Sequence, residues 1–134
     1  MGEEAASATA NYVQATQLIH RLFRALDEKD DALAGSFFAD EGTWHRQGRL
    51  LTGPPEVVAA LGQRDPSRNT IHVISNMQVA NAGDGALICT YYLTAYISSG
   101  GEAMALAAIL DCRDEMIATP RGLRILAKTS RRLI

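Results

Sequence analysis

A chain of 134 residues with 47% apolar side chains is long enough for one domain with its own core and too apolar for a disordered segment. Thirteen basic residues against fifteen acidic ones leave a net charge of −2, without the basic excess of a nucleic-acid binder. Cys89 and Cys112 each lie inside an apolar run and form neither a disulfide framework nor a zinc spacing, so a reducing, cytoplasmic setting is expected.

Residues 1–9 read as a flexible lead-in. They lack the charged-then-apolar pattern of a signal peptide, and Ala6 breaks the myristoylation pattern after Gly2. From Thr9 or Ala10 the pattern turns helical: Ala15, Leu18, Ile19, Leu22, Phe23 and Leu26 recur at helical spacing and predict one buried stripe. Asp27 falls in the last turn of that helix. A carboxylate is badly placed for the helix dipole there, which points either to another partner or to a plainly exposed helix end. Glu28 to Asp31 breaks the helix. Asp30 or Asp31 suits the N-cap of a short second helix over Ala32–Phe38, burying Leu33, Phe37 and Phe38. Ala39–Gly42 reads as a turn. Thr43–Arg46 and Arg49–Leu51 form a hairpin around Gln47-Gly48. Trp44, the only tryptophan, is placed in the core or at the mouth of a pocket, with His45 pointing outward.

Gly53-Pro54-Pro55-Glu56 opens a third helix, since proline is tolerated where no N–H needs a partner. Gly62 and Pro66 end it. Four strands follow: Thr70–Val79, Ala86–Ser98, Ala103–Met116 and Leu123–Leu133, joined by short turns. That order is an antiparallel meander, and helices on one face of a curved sheet make an α+β domain enclosing a cavity.

Chemistry concentrates at Asn69-Thr70-Ile71-His72-Val73-Ile74-Ser75-Asn76. His72 interrupts an apolar, β-branched strand, and histidine is the side chain whose charge changes near neutral pH. It is either a core histidine or a proton carrier. Strand parity puts Asn76 on the His72 face, where it either bonds the sheet or contacts a ligand, and puts Ser75 on the other. Tyr92 and Tyr96 share one face of their strand and Tyr91 takes the other. Tyr92 is the candidate for the cavity, and Tyr12 near the start of the first helix is another. Asp111 is either a second acidic pocket group or an exposed strand end. Arg121, Arg124, Lys128, Arg131 and Arg132 read as a solvated strand face, with Arg131 or Arg132 open to an anionic ligand. His20, His45 and His72 show no metal-ligand spacing, and no phosphate loop or dinucleotide fingerprint is present. No metal or organic cofactor is expected, and neither a nucleic acid nor a membrane as partner.

Three segments resemble the NTF2-like superfamily, and within it the SnoaL-like group, which is similar to scytalone dehydratase, bile acid dehydratase and hexachlorocyclohexane dehydrochlorinase. They are Leu26–Asp30 followed by Phe37–Glu41 and Trp44; Leu51-Thr52-Gly53-Pro54 with the helix after it; and the H-x-x-x-N strand Thr70–Asn76. The resemblance spans about residues 12–132 and implies an NTF2-like cone, three helices packed on a strongly curved antiparallel or mixed sheet. In the family's lyases the strand histidine abstracts a proton and an aspartate at the end of the first helix holds it. Those positions match His72 and Asp27. Relatives commonly read W-R-I-x-x-R in the last strand. Here the segment is Leu123–Lys128, so Lys128 stands where arginine is common, without the bidentate fork, and Arg131 is the substitute. The resemblance implies a cofactor-independent lyase or isomerase for a small apolar, aromatic or polycyclic metabolite. The alternative is a non-catalytic binding or subunit-interaction protein of the same fold. Relatives commonly pair through the outer sheet face, so a homodimer is expected, with a trimer as alternative.

Overall fold

The predicted stripe is buried in α1 (Gly2–Asp27) of the computed structural model, which describes residues 2–134. The helix begins at Gly2 rather than at Thr9 or Ala10, so the expected lead-in is helical, apart from residue 1, which lies outside the described residues. The reason is intrinsic propensity. Ala5, Ala6, Ala8 and Ala10 favour helix without needing burial, and the Thr9 hydroxyl donates to the Ala5 carbonyl at 2.9 Å.

The second helix, α2 (Asp31–Ser36), is capped as expected by Asp30, whose Oδ1 accepts from the Leu33 N–H at 3.2 Å. It buries Ala34 and Gly35 and leaves Leu33 exposed. Close packing selects these small residues: a Cβ on Gly35 would stand 2.6 Å from Cγ2 of Val58.

Residues 39–42 are not a turn but part of β1 (Phe38–Arg46). The local turn signal survives as an irregularity. Pairing slips between Phe38 and Thr43, and Gly42 lies so close to the Ile125 carbonyl that a Cβ would meet it at 2.5 Å. The predicted hairpin joins β1 to β2 (Arg49–Thr52) around Gln47 and Gly48, both at positive φ. Next comes α3 (Gly53–Leu61), where Glu56 accepts from the Thr52 N–H at 3.0 Å and occupies one donor of the helix start.

The meander is β3 (Arg68–Gly83), β4 (Ala86–Ser99), β5 (Ala105–Thr119) and β6 (Gly122–Arg132). The six strands form one sheet in the order β2-β1-β6-β5-β4-β3. Neighbours are antiparallel except β1 and β6, which are parallel. Irregularities at Ser75/Gln78, Ala95/Tyr96 and Glu115/Met116 interrupt the long ladders, and each extra residue bends its strand. The chain is therefore an α+β cone of helices on a curved mixed sheet, the architecture that the resemblance implies. In β4, Leu87, Cys89, Tyr91 and Leu93 alternate inward against Phe23, Leu22 and Met116. No described helix is long and apolar enough to cross a membrane.

Candidate active site

Phe23 and Leu26 of α1, Trp44 of β1, Leu61 of α3, Leu93 and Ile97 of β4 and Leu110 of β5 enclose a largely apolar cavity of about 230 Å³. His72 of β3 and Lys128 of β6 are among the polar groups that line it.

Asp27 sits where α1 ends over β3. Its Oδ1 lies 2.5 Å from Nδ1 of His72 and accepts from the Thr70 hydroxyl at 2.9 Å, while its Oδ2 accepts from the His72 backbone N–H at 3.0 Å. The unfavourable place on the helix dipole is thus offset by three donors from one strand. Burial works against the charge of Asp27, but the bonds from the His72 ring and backbone, the imidazole charge and Thr70 outweigh it and hold the carboxyl below its usual range. An ionised carboxylate only accepts, so Nδ1 carries the proton and Nε2 of the neutral ring keeps a lone pair. None of the described residues bonds Nε2. Phe23 packs on the ring at 5.1 Å between centroids and fixes its tilt.

The second polar centre lies beneath the floor. Lys128, 4% exposed, is held 2.9 Å from Oδ2 of Asp114 and donates to the Tyr91 hydroxyl at 2.7 Å; that hydroxyl donates to the same Oδ2 at 2.9 Å. The ammonium also stands 4.7 Å from the Phe23 ring centre and 5.9 Å from that of Trp44, within cation–π range. Burial pushes the Asp114 carboxyl up, against the pull of Lys128 and the bond from Tyr91. Burial, and then the charge of Asp114, push the Tyr91 hydroxyl well up. Lysine has three N–H donors and two are used here, which leaves one for a molecule in the cavity.

Of the residues singled out in the sequence, the cavity brings together His72, Asp27, Trp44 and Lys128. Trp44 is 9% exposed and stacked on Phe38. Four candidates lie elsewhere. Tyr12 is exposed on the solvent side of α1, two turns or more from the end of the helix that reaches the site. Asn76 is exposed at φ 55° within the irregularity of β3, where an added residue cancels the parity that would align it with His72. Tyr92 is 42% exposed on the outer face, because β4 turns Tyr91 inward instead. Arg131 is exposed and pairs with Asp111 at 3.1 Å on the sheet surface. The reading of Lys128 as part of a solvated face is corrected too, since the side chain is buried. Sequence reasoning missed Asp114, Tyr91, Thr70 and the arginines Arg46, Arg64 and Arg68 that also line the cavity. Asp114 had a signal: it alternates with Cys112 and Met116 on the inward parity of β5. Among the described residues no group of three His, Cys, Asp or Glu could hold a metal.

Solved structures share this architecture. Aln2 from a Streptomyces species is 24% identical, with 90% of this chain and 89% of that chain covered and a TM-score of 0.80. ActVI-ORFA from Streptomyces coelicolor is 16% identical over 91% and 96% of the two chains, with a TM-score of 0.81. A hexachlorocyclohexane dehydrochlorinase, LinA-type3 from Novosphingobium barchaimii, is 13% identical over 94% and 88%, with a TM-score of 0.82. At such identities the likeness is one of fold. No curated protein matches the chain. The model of the SnoaL-like domain matches residues 7–129, nearly the whole cone, and the chain belongs to that family.

Proposed function

We propose that this protein is a cofactor-independent lyase or isomerase that removes a proton from a small, largely apolar molecule held in the cavity. One observation carries the reading: Asp27 holds Nδ1 of His72 at 2.5 Å on the wall of an apolar cavity, which leaves Nε2 as a base facing a bound molecule. Nε2 takes a proton from a carbon beside a leaving group or a carbonyl. The C–H electron pair becomes the new double bond, and the leaving group departs with its own pair, or the carbonyl oxygen gathers the charge as an enolate. Asp27 stabilises the imidazolium that forms. Lys128, with its remaining N–H, meets the negative charge that develops. A positioned base of this kind contributes about 10²–10⁴-fold. The dehydrochlorinase among the solved neighbours carries out an elimination by name, which supports this class of reaction.

The test is deuterium uptake from D2O into a panel of small cyclic ketones and β-hydroxy or β-halo carbonyl compounds, followed by NMR. Wild type should exchange at least one panel member and His72→Gln should not. Exchange that is absent, or equal in the variant, would leave a binding protein without catalysis.

The outer sheet face supports a second, separate proposal: two copies pair through it. Ile71, Val73, Tyr92 and Leu106 are all exposed there, an apolar surface a dimer would cover.

A further inference from the structure

The charges on the cavity wall are one-sided. Arg46, Arg64, Arg68 and Lys128 all line it, and among the described residues no aspartate or glutamate does, although the chain as a whole carries more acidic than basic residues. Two of these cations are already answered from behind. Lys128 is neutralised by Asp114 under the floor. Arg64 is a structural clasp: its guanidinium donates to the Leu61 carbonyl at 3.1 Å, the Leu26 carbonyl at 3.2 Å and Asp31 at 2.6 Å, tying together the ends of α1 and α3 and the start of α2. Arg46 and Arg68 are different. Neither forms an ion pair or a side-chain hydrogen bond among the described residues. Arg46 closes β1 and rests its guanidinium 5.6 Å from the centre of the Trp44 ring; Arg68 opens β3, on the strand that carries His72. Burial and then the charges of Arg64, Arg49 and Arg68 all lower the affinity of Arg46 for its proton; Asp65 lies nearby and feels the charge of Arg68, but its carboxylate is bonded to Ser67 and pairs with neither Arg46 nor Arg68.

Like charges gathered on one wall repel one another, and an arginine fork that no carboxylate occupies is shaped for an oxyanion. We propose that the natural ligand is an organic anion, a compact apolar ring system whose carboxylate or phosphate sits between Arg46 and Arg68 while its body lies against Trp44 and reaches His72. This rests on the cavity being the ligand site, as proposed above, and it adds the substrate class. The anchored head would also set which carbon faces Nε2, since the body is held between the arginines and the imidazole.

Three matched probes separate the possibilities: 2-naphthoate, 2-naphthyl phosphate and neutral 2-naphthamide. Binding is read by calorimetry and by the single indole N–H peak of Trp44, which needs no assignment because the chain has one tryptophan. At least one anion should shift that peak and bind about tenfold or more tightly than the amide, as expected for a charge-assisted contact. The preferred anion identifies the head group. Arg68→Gln, at an exposed residue whose side chain makes no hydrogen bond or ion pair among the described residues, should remove most of the preference; the distant surface variant Arg121→Gln should keep it. Equal binding of the amide, or no movement of the indole peak by either anion up to about 10 mM, where even a weak site fills, would overturn the proposal. His72→Gln should still bind the anion. Anion binding without His72-dependent proton exchange would thus defeat the acid–base reading alone, whereas exchange of neutral compounds without anion preference would defeat this inference alone.

Discussion

Lys128 and Asp114 meet at 2.9 Å with both side chains withdrawn from solvent. Such a pair is weak evidence for stability as a pair, but each partner is indispensable to the other. Asp114→Leu or Lys128→Met alone is expected to lower unfolding free energy by about 3–5 kcal/mol, because one charge is left buried and unanswered. The double replacement Asp114→Leu with Lys128→Met should recover most of that loss. Urea unfolding of the four proteins in a double-mutant cycle decides it; losses that simply add would show the two charges to be independent.

Asp27 sets both the tautomer of His72 and part of the acid stability. In wild type the 15N spectrum of the ring should show Nδ1 protonated and Nε2 bare in the neutral form. Asp27→Asn, whose amide can accept or donate, should give a mixture or the reverse. The folded carboxyl of Asp27 lies below its ordinary 3.8. It binds fewer protons folded than unfolded in that range, so its stabilisation is full above 3.8 and is lost as pH falls below it. The acid limb of a stability–pH curve should therefore fall less steeply in Asp27→Asn than in wild type. An identical slope in both would show that the carboxylate is not held by His72 and Thr70.

The thiols should be inert in the folded protein. Burial pushes Cys89 up to about 12 and Cys112 up to about 11, far from the thiolate that reacts. An aromatic disulfide reagent at mildly alkaline pH should label neither in the native state and both in urea. Fast native labelling of Cys112, which lines the cavity, would mean that the cavity opens widely.

Across β3, β4 and β5, Ile71 stands opposite Tyr96 and Tyr96 opposite Leu106, so the outer apolar row is continuous across strands. Light scattering should give a dimer mass, and Val73→Glu on the same face should give a folded monomer. A wild-type monomer, or a trimer unaffected by that change, would refute pairing through this surface.

The parts of the fold that were legible are those where one face of one element is buried. The stripe of α1 repeats at helical spacing, and the turn at Gln47-Gly48 carries residues at positive φ, so both could be seen without any knowledge of the rest. Asp27 and His72 were legible because each broke a local rule: an acid at the wrong end of a helix, an imidazole in an apolar strand. Asn76 and Tyr92 were misplaced for one reason each. A bulge is a one-residue insertion that simple alternation cannot see, and alternation names two faces of a strand without saying which is inside. Nothing local marked Arg46, Arg64 and Arg68. They come from the end of β1, the segment after α3 and the start of β3, and only the closed sheet gathers them.

The last strand in the chain, β6, occupies the middle of the sheet, between β1 and β5. The hairpin made early in the sequence therefore has no sheet to join until residues 122–132 exist, and the partner of β1 lies 84 to 87 positions further along the chain, in the register Phe38↔Ile125 and Trp44↔Lys128. Contacts this distant along the chain form slowly. The residue that pairs with Trp44 across this join is Lys128, which also lines the cavity. Joining the two parts of the sheet and seating Lys128 on the cavity wall are thus one event.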